Sequence, residues 1–174
     1  MMRRLLVGFC LSLITLFGCQ GKLTSDDELV KRFNDHRANF EKLVRMMNED
    51  TNVRSIYEDH VALVDTPLWR TDDQKGFSTT RWNEYKELFT QLGSPYIHRI
   101  SKEGDVIEIA SGSVVVYDTS DSYESVVTSK GYVFSLKEPS PLVKSLDDAQ
   151  INPSYRKIDG NWYLHYHSGV SKPE

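Results

Sequence analysis

The apolar residues of this chain change their period near the middle, and no other feature restricts the fold as much. Leu29, Phe33, His36, Phe40, Leu43 and Met47 recur at intervals of three and four, while Lys31, Arg32, Asn39, Glu41 and Lys42 fall off that stripe. A 3.6-residue period puts such a set on one side of an α-helix. Ser25-Asp26-Asp27-Glu28 fits a capping box at its start, with three acids at the positive end of the helix dipole. The stripe predicts one helix of about 24 residues, too short for a coiled-coil seam and suited to packing on a sheet. A second helix is expected from about residue 81 to 92, with Thr80 as cap. Its buried side is Trp82, Tyr85, Leu88, Phe89 and Leu92, and Gly93 with Pro95 ends it.

From Tyr96 onward the pattern is that of strands. Residues 96–101, 106–110, 113–118, 123–136, 155–158 and 162–167 are rich in β-branched and aromatic side chains, and turn residues separate them. Gly131 reads as a bulge in the longest. Asp159-Gly160 is a strong hairpin signal between the last two. Val61-Ala62-Leu63-Val64 reads as a short strand, and residues 65–80 and 137–154 read as loops. Helices first and antiparallel strands after predict an α+β domain over residues 25–174. The expected form is a long N-terminal helix and a second helix packed on a curved antiparallel sheet of about five or six strands. The segment Arg156-Lys157-Ile158-Asp159-Gly160-Asn161-Trp162-Tyr163-Leu164 is similar to the closing hairpin of nuclear-transport-factor-2-like and cystatin-like domains. That resemblance implies a half-cone sheet.

The N-terminus carries a different message. Met1-Met2-Arg3-Arg4 is a short positive region, and the uncharged run from Leu5 to Phe17 is about 13 residues, short of the roughly 20 that span a bilayer. It reads as a secretory signal, residues 1–18. Leu16-Phe17-Gly18-Cys19 resembles the lipobox of bacterial lipoproteins. The resemblance implies a diacylglyceryl group on the Cys19 thiol, cleavage between Gly18 and Cys19, and fatty acylation of the new amino group. Membrane lipid is then a partner through acylated Cys19, and residues 19–24 are a tether. From Gln20 to Thr24 it reaches at most roughly 18 Å. Gln20 is not the aspartate that retains such proteins in the inner membrane, so the periplasmic face of the outer membrane is expected in a Gram-negative host.

Charge and cysteine content exclude several functions. The net charge is −4, and about −6 without Arg3 and Arg4, so the basic footprint of a nucleic-acid binder is missing. Both cysteines, Cys10 and Cys19, precede the domain, which excludes a disulfide framework, a thiolate metal site or a cysteine nucleophile within it. Ser111-Gly112-Ser113 lacks the second glycine of a nucleophile elbow, and no phosphate loop, dinucleotide fingerprint or calcium loop occurs.

His165 and His167 lie two apart in a strand and face one way with Tyr163, opposite Trp162, Leu164 and Tyr166. They are weak metal candidates, with His98, Glu108 or Asp118 as further donors to complete a site. His36 reads as a core histidine. Glu103, Asp105 and Glu108, like Asp118, Asp121 and Glu124, read as acids of solvated turns. The two loops place Trp69, Arg70, Phe77, Leu142 and Val143 as a candidate binding surface. The resulting expectation is a lipid-anchored envelope protein with no catalytic residues and no cofactor. It binds a partner at the envelope, a periplasmic immunity protein being one such class. The alternative is a periplasmic hydrolase or metal-dependent enzyme using the His165 and His167 face.

Overall fold

The computed structural model describes residues 23–70, 77–93, 97–117, 125–147 and 149–171, with the backbone alone for 66–70, 113–117, 125–126 and 170–171. Gly18 and Cys19 lie outside the described residues, as do Asp118, Asp121 and Glu124 and the side chains of Trp69 and Arg70. The elements in chain order are α1 (Asp26–Asp35), α2 (Arg37–Glu49), β1 (Val53–Tyr57), β2 (Val61–Leu63), β3 (Thr66–Arg70) and α3 (Thr79–Gln91). They continue with β4 (Ile97–Glu103), β5 (Val106–Tyr117), β6 (Ser125–Ser135), β7 (Ser154–Asp159) and β8 (Trp162–Ser171). The strands form one antiparallel sheet in the order β3-β2-β1-β4-β5-β6-β8-β7. The α+β reading holds, and the sheet is wider than the strand pattern indicates.

The stripe expected to be one helix is divided at His36, whose φ of −124° ends α1 and starts α2. Asn34, Asp35 and His36 are poor helix formers. The break lets Phe33 and Phe40 close on the same patch of sheet. Their rings lie 5.4 Å apart; Phe40 meets Tyr132 at 4.5 Å and Phe33 meets Trp162 at 5.1 Å. His36 itself is half-buried and outside the core. The capping box forms as expected, with Ser25 accepting from the Glu28 amide and Glu28 reaching back. α3 is capped by Ser78 rather than Thr80, and Gly93 at φ 95° follows its end.

Three strand readings change. Residues 66–70, taken as loop, form the edge strand β3, where Pro67 is tolerated because one side of an edge needs no ladder bonds. Residues 106–117 are one strand, with the register shift at Gly112 (φ 71°). Gly131 is not a bulge: it pairs regularly with Ala110 and His165, and a Cβ there would stand 2.6 Å from the Ile109 carbonyl oxygen. Its lack of a side chain serves close strand approach.

The three helices cover one face of the sheet. Ile56, Ile100, Ile109, Tyr132 and Leu164 from the strands meet Leu29, Leu43, Leu88 and Phe89 from the helices, all fully or almost fully shut from solvent. The segment between β6 and β7 is a strap on this structure. Leu142 bridges Tyr155, and the Tyr155 amide and carbonyl bond Pro141 and Val143, which closes the β7 edge. Leu146 is buried, and its amide donates to Asp26 at 2.6 Å. Asp26, 1% exposed, also accepts from Lys130 at 2.9 Å and Arg156 at 3.1 Å, while Asp147 caps the same lysine at 2.5 Å. This buried ionic knot ties the strap to the first turn of α1. Among the described residues, no helix is long and apolar enough to cross a membrane.

Candidate functional site on the open face of the sheet

Side chains alternate along each strand, so every residue that faces the helices has neighbours that face away. No helix covers the second face among the described residues. Strand register builds one continuous row across it: Tyr57 on β1, Arg99 on β4, Ala110 on β5, Gly131 on β6, His165 on β8 and Tyr155 on β7. The centre of the row holds its two smallest residues, with a cation on one side and an imidazole on the other. Beside this row runs a second, Ser55, Ser101, Glu108, Val133 and Tyr163. A trough of about 810 Å³ opens here, lined by residues of β1, β2 and β4 through β8.

Its polar groups converge across strands. Arg99 donates from Nη2 to Glu108 Oε1 at 2.8 Å, and both side chains are about a third exposed to the trough. The same Glu108 oxygen is 4.0 Å from His165 Nδ1, beyond hydrogen-bond range. Glu108 therefore reaches across the sheet rather than sitting in a solvated turn. The Tyr155 ring stacks beside His165 at 6.0 Å. Arg99 Nε and His165 Nδ1 are both buried without a hydrogen-bond partner among the described residues. Burial pushes the His165 imidazole below its ordinary range and Glu108 pulls it back up, while His167 and Arg99 add to the depression. Burial likewise raises the Tyr155 phenol, and Glu108 adds to that.

The histidine pair is split by its surroundings. His165 is 8% exposed, whereas His167 is exposed, with the two rings 6.3 Å apart. Among the described residues no three of His, Cys, Asp and Glu gather as a metal site. The loop candidates lie elsewhere. Phe77 and Val143 pack against the core, Phe77 beside Tyr85 at 6.3 Å, and Leu142 is exposed on the strap.

Arg99 and Tyr155 escape a search by motif, whereas Glu108 is among the donors expected near His165, and two hairpins carry the signal for their placement. A turn at Gly104-Asp105 pairs Glu103 with Val106 and so sets Arg99 diagonal to Glu108. Asp159-Gly160 sets Tyr155 opposite His165. Neither family models, curated proteins nor solved structures give a match to this chain.

Proposed function

We propose that this chain is a bacterial envelope lipoprotein whose folded domain binds a ligand on the open face of its sheet without transforming it. Acylated Cys19 is the anchor, and the periplasmic face of the outer membrane is the location the tether sequence favours. The half-cone form implied by the closing hairpin is part of this reading. Support for it comes from the element order: a helical pair, three short strands, a third helix, then the remaining five strands.

The observation that carries the binding reading is the trough into which Arg99, Glu108, Tyr155 and His165 converge from four strands. Within it Arg99 Nε and His165 Nδ1 are buried without a hydrogen-bond partner among the described residues. Natural proteins satisfy nearly all such groups, so each exception asks for a partner or a role. Ligand sites are concavities that orient their ligand with a few fixed polar groups, which Arg99, Glu108 and His165 supply here. The rival reading, a hydrolase or metal-dependent enzyme, would rest on His165 near Glu108, whose nearest atoms stand 4.0 Å apart.

The anchor is tested by Cys19→Ser: unprocessed precursor should accumulate and metabolic labelling with fatty acid should vanish. Labelling at the wild-type level would remove the lipoprotein reading.

A further inference from the structure

We propose that the trough takes a ligand through a free carboxylate anchored on Arg99, and that binding hands Glu108 from Arg99 to His165. This rests on the reading of the open face as a binding surface and supplies its chemistry.

A guanidinium presents Nε and Nη as a planar fork that matches the two oxygens of a carboxylate. Glu108 occupies this fork incompletely: Nη2 is bonded at 2.8 Å while Nε is buried and unmet. The same Glu108 oxygen stands 4.0 Å from a second buried nitrogen without a partner among the described residues, His165 Nδ1, which is a donor once the ring is protonated. One carboxylate is thus shared between two sites and completes neither. A second carboxylate, brought by a ligand, resolves the mismatch. It chelates Arg99, and Glu108 turns to His165. On β6, Gly131 opposite His165 contributes no side chain, and Val133 opposite Glu108 lines the trough beside it.

The charges close as well. With Glu108 against it, His165 takes one proton from water, which gives a guanidinium–carboxylate pair and an imidazolium–carboxylate pair. The groups that face His165 are Glu108 from β5, Arg99 from β4, Tyr155 from β7 and His167 on its own strand. Among these described groups Glu108 alone stabilises the protonated ring, so ligand binding and proton uptake are coupled through it. The trough also carries Arg54 and Lys102 against Asp65 and Glu103. That balance suits exchange of one monoanion for another and leaves no surplus of positive charge for a dianionic phosphate.

The test uses the full chain in detergent micelles, with ring-labelled histidine and amide-labelled backbone, followed by NMR. Four compounds are titrated: N-acetylglycine, N-acetylglycinamide, methyl β-glucoside and inorganic phosphate. N-acetylglycine should shift the Val106 and Val133 amides saturably and move the His165 ring signals toward the protonated form; its amide should do neither. Arg99→Lys should weaken that binding at least about tenfold, since a point charge replaces the fork. Glu108→Gln should keep the binding and abolish the ring shift, and the same spectra report whether each variant is folded. Equal response to acid and amide, tighter binding of phosphate, or wild-type affinity in Arg99→Lys would overturn the carboxylate proposal. Amide shifts from the glucoside or N-acetylglycinamide alone would do the same while leaving the open face as a binding surface. No shift at Val106 and Val133 from any of the four would remove both readings.

Discussion

The two faces of this sheet are made from the same strands and have opposite economies. Leu164 and His165 are consecutive in β8. Leu164 lies in a packed apolar layer with no exposed surface, and His165 lies in a trough with a buried nitrogen unmet. The pattern repeats at Ile100 and Arg99 in β4, and at Ile109 and Glu108 in β5. Alternation therefore lets the fold place its apolar packing on one face and the Arg99, Glu108 and His165 cluster on the other. A substitution moved by one residue should change its consequence from structural to functional, and the following experiments test how far that division goes.

The largest effect is expected where the helices meet the sheet. Leu43→Asp places an unpaired charge at a fully buried position, and isolated buried charges are too costly to keep. The variant should be unfolded or melt far below the wild type in a thermal scan. Glu41→Ala, two residues away, removes only an exposed contact 3.8 Å from Arg37 and should cost at most about 0.5 kcal/mol. Equal melting temperatures for the two would show that the packed face is not where stability resides.

The ionic knot is the exception within the packed face, because it is charged and its central pair, Asp26 and Lys130, is enclosed. Asp26→Ala leaves Lys130, 2% exposed, with Asp147 as its remaining acid, and should destabilise by roughly 3–5 kcal/mol. Burial raises the Asp26 carboxyl, but donation from the Leu146 amide, Lys130 and Arg156 outweighs it and holds the group below its ordinary value of 3.8. A depressed carboxylate contributes stability above the unfolded value, and this is lost as pH falls through the folded one. The wild type should therefore weaken in acid below about pH 4, and Asp26→Ala should do so less. Parallel acid profiles would assign the acid sensitivity to other groups.

These contrasts also explain what could be read before the structure. Helical stripes and hairpin turns are local, so α1, α3, β7 and β8 were legible from periodicity and Asp159-Gly160. The break at His36 was masked by a stripe that runs through it uninterrupted, and the contacts it permits, Phe33 with Trp162 and Phe40 with Tyr132, are distant in sequence. β3 was hidden by Pro67, which argues against a strand everywhere except at an edge. The strap defeated pattern reading for a different reason: Leu142, Val143 and Leu146 cover an edge and follow no period. Half of the site was legible, since each hairpin fixes its own pairs. The other half depends on β6 pairing with β8 while β7 lies outside, and that non-consecutive order brings Glu108 to His165.

The smallest effect on stability should come from the site, and its sign is the informative part. A buried donor left unmet is a net cost to the fold, so replacing it by an apolar side chain of similar size is neutral or favourable. His165→Leu removes the unmet Nδ1 and the depressed titration while keeping an apolar body against the Tyr155 ring. A histidine held below its unfolded value loses stability as pH falls through the folded one, so the variant should also flatten the profile on the acid side of 6.5. Its stability at neutral pH should lie between unchanged and about 1 kcal/mol higher, whereas Leu164→Ala should lose roughly 2–5 kcal/mol. Chemical denaturation of both variants measures the difference directly. A loss above about 2 kcal/mol in His165→Leu would mean that the imidazole holds the sheet together, and the open face would then be a second structural face. Gain or neutrality would mark His165 as a group retained at the expense of the fold, as expected where activity competes with stability.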